Sequence, residues 1–180
     1  MRKLSMLLLP GLVSMTLAAG PVLTSAYAAG SDDPSPPPKS DTSTKKGKKK
    51  SSSISDPKFL AAYRTAYTTI YDNHDYNGAI DQLKSLKRDD VADVANLIGY
   101  SYRKLGNYQS SKVYYELALK DDPNHVRTWQ YYGLWQLEQG NREQAQYHLN
   151  KIASLAGTDS SEYRSLAAAL DKPTGATLVY

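Results

Sequence analysis

From Asp56 onward, apolar residues return at helical spacing, and no stretch alternates with period two over a strand's length. The pattern predicts helices near 57–72, 76–87, 91–105, 108–120, 124–139, 142–156 and 159–171, and no sheet. The last of these shows the rhythm plainly: Tyr163, Leu166, Ala167 and Leu170 share one side of "SEYRSLAAALDK". Asp56 before Pro57 reads as an N-cap with proline at the first helical position. Gly106 and Gly140 suit left-handed positions just past helix ends. Asn107 and Asn141 suit N-caps, with Gln144 placed after Asn141 as in a capping box. Gly157 can end the sixth helix, and Asp159 with Glu162 can start the seventh. The pairs Asp89-Asp90 and Asp121-Asp122 precede helices, where carboxylates satisfy free N–H groups and the positive dipole end.

Comparison of the chain with itself adds a repeat. Gly99 and Gly133, Gly106 and Gly140, Asn107 and Asn141, and Ser111 and Ala145 all match at one offset, 34 residues in each case. One unit begins at Ala92 and gives Ile98-Gly99, Tyr102, Gly106, Tyr108, Ser111, Tyr115, Ala118 and Pro123. The next begins at Val126 and gives Trp129, Tyr132-Gly133, Gly140, Ala145 and Leu149, then departs at Ile152 and Gly157. Two helices per unit with this period and these residues resemble the tetratricopeptide repeat. An earlier unit, about 57–91, keeps Tyr76 and Ala79. It fits if Ala66 takes the small position of Gly99, with one extra residue in the Asn73-His74-Asp75 turn; the other register puts the bulkier Tyr67 there.

The resemblance covers about 57–157 and implies an all-α fold, a right-handed superhelical solenoid of antiparallel helix pairs. About three units would stand between 57 and 171, closed by a C-terminal capping helix, with a tail over 172–180. Small residues at Gly99, Ser111 and Ala118 let helices approach closely, while Tyr102, Tyr108 and Tyr115 fill gaps between them.

The chain starts differently. Arg2 and Lys3, an apolar run from Leu4 to Leu23 and Ala26-Tyr27-Ala28 form the layout of a secretory signal peptide over 1–28, cut after Ala28. An uncleaved anchor is the other reading, and the breaks at Pro10-Gly11 and Gly20-Pro21 favour cleavage. After cleavage no membrane-spanning segment is expected. Residues 29–56 are rich in Ser, Pro, Lys and Asp, a linker that cannot offset its ordering entropy by burial. Its Lys45–Lys50 cluster is either a solvated spacer or a contact for an anionic membrane or wall polymer. There is no Cys, hence no disulfide and no thiolate metal site.

The net charge of +4 comes from Arg2, Lys3 and the linker, whereas residues 58–180 balance 14 basic against 14 acidic side chains. A neutral folded part argues against nucleic acid as the partner. No G-x-S-x-G, phosphate loop or G-x-G-x-x-G is present, and His74, His125 and His148 stand as isolated surface or capping groups. No catalytic set, metal site or cofactor is expected. Fifteen Tyr against one Phe are unusual. Most fall at packing positions; Tyr100 and Tyr131 are candidates for exposure, where tyrosine favours interfaces.

The resemblance also implies a concave groove lined by the first helix of each unit. By position it offers Asp93, Asn96, Tyr100 and Arg103 from one unit and Arg127, Gln130, Tyr131 and Leu134 from the next. Arg127 matches one basic position of the family's carboxylate clamp, but Tyr100 and Tyr131 replace other members of it. An aromatic groove with Arg127 for an extended or helical segment fits better. The expected role is an exported, non-enzymatic adaptor for a protein or peptide, in the periplasm or outside the cell and within an envelope assembly.

Overall fold

The computed structural model describes residues 56–172. Seven helices and no strand occur among these residues: α1 (Pro57–Tyr71), α2 (Tyr76–Ser85), α3 (Ala92–Lys104), α4 (Tyr108–Asp121), α5 (Val126–Glu138), α6 (Arg142–Ala156) and α7 (Ser161–Leu170). The expected signal peptide with its cut after Ala28, the expected linker up to Ser55 with Lys45–Lys50, and the tail beyond Lys172 lie outside the described residues.

Helices α1 and α2, α3 and α4, and α5 and α6 pack as pairs. Neighbouring pairs stack through α2 on α3 and α4 on α5, while the first helices also meet, α1 with α3 and α3 with α5. This is the all-α stack of helix pairs that the repeat implies. The final α7 packs on both α5 and α6. There Leu166 lies where a Cβ on Gly133 would be, 2.5 Å from its Cδ2, so the glycine admits the closing helix. Arg142, at the start of α6, donates to the carbonyls of Leu170 and Lys172 and satisfies the end of α7.

The turns follow from backbone chemistry. Gly106 and Gly140 have φ of 74° and 78°, a region that costs an L-residue strain. Asn107 then accepts the Ser110 N–H at 3.1 Å and opens α4. The turn before α2 runs over 72–75, one residue longer than 105–107 or 139–141. In it Asp75 accepts the Gly78 N–H at 2.9 Å, and His74 directly before it has φ of 54°. His74 therefore stands where the later units have glycine. Ala66 is wholly buried and Tyr67 only half-buried, as the register with Ala66 in the small position requires.

Some helix starts differ from the sequence pattern. Asn141 does not cap through its side chain; its Nδ2 donates to Gln136 Oε1 at 3.0 Å, so no capping box forms with Gln144. Ser160, not Asp159, opens α7 by accepting from the Tyr163 N–H. The acidic pairs sit too early to cap. Val91 occupies the cap of α3 without a side-chain bond, and Asp90 takes Arg88 Nε at 2.9 Å instead. His125, rather than Asp121 or Asp122, caps α5. Tyr108, expected between helices, is exposed.

Replacing His74 with glycine relieves a left-handed strain of about 1–2 kcal/mol and costs about 0.5–1 kcal/mol of chain entropy. The expected net gain is about 0.5–1 kcal/mol, read as a higher thermal midpoint of His74→Gly. An unchanged or lower midpoint would show that the imidazole, 6.3 Å from the Tyr76 ring, contributes more than the strain.

Candidate functional site: the first-helix face

The side chains of α1, α3 and α5 meet in a row of tyrosines. Tyr63, Tyr67 and Tyr71 recur every fourth residue on α1 and so share one face. Tyr67 and Tyr71 are 4.5 Å apart by ring centroid, Tyr71 and Tyr100 5.4 Å, and Tyr100 and Tyr131 5.0 Å. Tyr76, from the start of α2, touches Tyr100 edge-on. The Tyr71 and Tyr131 hydroxyls hydrogen-bond at 2.9 Å, which joins the first unit to the third across the second. Burial, then the charge and hydrogen bond of Tyr131, push the Tyr71 phenol far above its ordinary value, so it stays a neutral hydrogen-bonding group.

Tyr100 and Tyr131, read from the sequence as exposed, are 4% and 1% exposed. They form the floor of the row because the long side chains of α1 reach across them. The half-buried members are Tyr67, Tyr71 and Tyr76. Tyr63, Tyr67 and Tyr71 were absent from the predicted site, although their fourfold spacing marks a single helix face.

Arg103 is also turned inward. It makes a two-pronged pair with Glu138, Nε to Oε2 and Nη2 to Oε1 both at 3.0 Å, with its side chain 1% exposed. The pair fastens the end of α3 to the end of α5. Asn96, Gln130 and Leu134 are buried as well. Of the eight residues predicted from the sequence, only Asp93 and Arg127 are half-buried rather than buried.

Asp93 belongs to a network between α3 and the cap of α5. Its Oδ1 lies 3.2 Å from His125 Nε2, His125 Nδ1 lies 2.6 Å from Thr128 Oγ1, and Thr128 donates to Asn96 Oδ1 at 3.1 Å. Acid, imidazole and hydroxyl stand in the order of a nucleophile triad. Thr128 and Asn96 are buried, however, and the hydroxyl proton is directed at Asn96, so this arrangement serves as a helix cap and an inter-unit tie. Burial alone would raise the Asp93 carboxyl. The His125 hydrogen bond and the His125 and Arg127 charges outweigh it and hold the group below its ordinary value.

Arg127 Nε and the Tyr63 hydroxyl are both buried without a hydrogen-bond partner. Burial opposes the Arg127 charge, but the electrostatics of Tyr131, Tyr63, Asp93 and Tyr71 prevail and keep the guanidinium ionised. Burial and Asp93 push the Tyr63 phenol up, and Arg127 partly counters them.

Residues 102–170 match the family model of the tetratricopeptide repeat. Over these residues the chain is similar to tetratricopeptide repeats. The match runs from Tyr102 in α3 to Leu170, the last residue of α7, so the closing helix falls within it. No curated protein matches the chain. Tetratricopeptide repeats generally mediate protein–protein interaction, typically in non-catalytic adaptors. Among the described residues no helix is long and apolar enough to cross a membrane, and no group of three or more His, Cys, Asp or Glu could hold a metal.

His148 is not the surface group its sequence context suggested. It is buried between the last repeat's helices, with Nδ1–H donating to the Trp129 carbonyl at 3.2 Å and its ring edge-on to Trp129 and Tyr132. Burial lowers its pKa from 6.5 to about 4, against the opposing pull of the Trp129 carbonyl. The unfolded chain therefore binds the proton more readily between those values. Stability from this group is complete above pH 6.5 and falls as pH drops to about 4. The loss is at most about 3 kcal/mol. Urea unfolding measured across this range should show the slope in the wild type and lose it in His148→Gln. A slope that survives the substitution assigns it to other groups. Asp93, whose carboxyl is depressed, loses its contribution in a separate window, as pH falls from 3.8 through its lower folded value.

Proposed function

We propose that the chain is an exported adaptor that holds a partner polypeptide against its first-helix face. The observation that carries this reading is the half-buried row of Tyr67 and Tyr71, rimmed by Asp93 and Arg127 and seated on a tyrosine floor. Tyrosine gives large contact area at low entropy cost, and a floor fixed by ring contacts spares the partner the cost of ordering it. Asn96, Tyr100, Arg103, Gln130, Tyr131 and Leu134 act as its support, since their side chains are turned into the stack. Export rests on the layout of residues 1–28, and recruitment within an envelope assembly on that location.

Two measurements test the parts separately. A photo-crosslinking residue at Tyr67 should trap a partner in the producing cells, while the same residue at Val113, exposed on the second helix α4, should not. Equal trapping at both, or trapping at Val113 alone, would move the interface to the second helices. The intact mass of the mature protein should correspond to a chain beginning at Ala29; a chain that still begins at Met1 would defeat cleavage after Ala28.

A further inference from the structure

The half-buried rings of Tyr67, Tyr71 and Tyr76 gather about Tyr100, which is 4% exposed. Tyr71 lies 5.4 Å and Tyr76 6.3 Å from it by ring centroid, and Tyr67 stands 4.5 Å from Tyr71. The Tyr71 and Tyr131 hydroxyls are taken up by each other. An ordinary peptide laid on such rings covers backbone N–H groups where few acceptors wait, and each covered donor costs free energy. Proline has no N–H. A run of prolines also holds its extended helix before it binds, so it meets aromatic rings at low desolvation and ordering cost.

This chain carries such a run. Pro34-Ser35-Pro36-Pro37-Pro38 precedes α1 and is joined to it by residues 39–55. Tyr67 and Tyr71 lie about 17 and 22 Å from Asp56, at 1.5 Å per helical residue. A chain of the length and Ser- and Lys-rich composition of residues 39–55 spans roughly 21–25 Å on average. The two lengths agree. We propose that residues 34–38 occupy the tyrosine row of their own chain. This rests on the first-helix face as a seat for a polypeptide, and it names what holds that seat before a partner arrives. A tether matched to its span gives an effective concentration on the order of millimolar. A contact of a few rings, too weak to keep a free peptide, is then filled in most molecules. A partner has to displace the segment, so its apparent affinity falls with the fraction of chains in which the row is open. Lys45–Lys50 lies in the tether and not in the contact, so the docking does not depend on charge.

The test places a photo-crosslinking residue at Thr68, exposed on α1 between Tyr67 and Tyr71, in the purified full chain. Peptide mapping should find the crosslink within residues 34–38 of the same molecule, at a yield independent of protein concentration and unchanged by high salt. Pro36→Ala, Pro37→Ala and Pro38→Ala together leave the helices untouched and should lower that yield about fivefold. The same triple variant should raise trapping of a partner at Tyr67 in the producing cells about two- to fivefold. No crosslink to residues 34–38, or a yield that survives the triple variant, would overturn the proposal. So would crosslinks that join two chains, recognised by mixing isotope-labelled with unlabelled protein, which give the row to a second copy. A crosslink that maps to Lys45–Lys50 and vanishes in high salt would assign the contact to the lysines instead. Partner trapping at Tyr67 with no internal crosslink would leave the adaptor reading standing and remove this one. An internal crosslink with no partner trapped, in the wild type or the triple variant, would support this docking and remove the adaptor reading.

Discussion

The stack depends on how closely two helices can approach at Gly99. A Cβ there would lie 2.8 Å from Tyr115 Cδ1 and 3.3 Å from the Ser111 carbonyl oxygen, so any side chain forces the ring or the backbone to yield. The Ser111 hydroxyl seals the contact by donating to the Gly99 carbonyl at 2.8 Å. Tyr115, held against the glycine and wholly buried, packs on Tyr132 of the following unit at 5.6 Å. Tyr132 in turn meets His148 at 4.9 Å, and the adjacent Gly133 admits Leu166 of α7. One absent Cβ thus starts a line of contacts that ends at the closing helix. Overpacking at such a point costs about 1–3 kcal/mol, more than the helix propensity gained by removing a glycine.

The first-helix side is secured by different chemistry. Rings from α1, α3 and α5 interlock, and Arg103–Glu138 joins two helices by a pair of charge-assisted bonds. A buried ion pair gives little net stability against an apolar replacement, but breaking it by removing one partner costs about 3–5 kcal/mol. Its effect is therefore on alignment: α3 and α5 can slide past one another only by leaving the guanidinium unpaired. The Asp93–His125–Thr128–Asn96 ties do the same at the opposite end of these helices. With both ends fixed, the face between them is preformed.

The 34-residue offset made the helix order, the glycine turns and the close approach at Gly99 legible, since each depends on residues near in sequence or one period apart. The same comparison placed Ala66 in the first unit, and the longer turn at 72–75 follows from it. It could not show what fills the groove. Tyr71 touches Tyr131, 60 residues away, through side chains alone, and no period relates them. Tyr100 and Tyr131 therefore read as exposed when they are covered. Caps failed for local reasons: the Asn141 amide is taken up by Gln136, and Ser160 rather than Asp159 stands where the preceding turn ends. Arg103 read as a groove cation because Glu138 lies one residue off the repeat offset, where aligned units do not pair it.

A filled floor changes what a partner can use. A repeat with an open groove can wrap its ligand, whereas here tyrosines already occupy the space between α1 and α5. Only the upper ring edges and the rim charges remain, a small area by the standard of stable protein interfaces. Small interfaces reach useful affinity through a few well-placed anchors rather than extent. Rigidity favours such anchors, because a donor held in place loses little entropy on meeting its acceptor. The Tyr71–Tyr131 bond supplies that rigidity by holding the rings of α1 and α5 together.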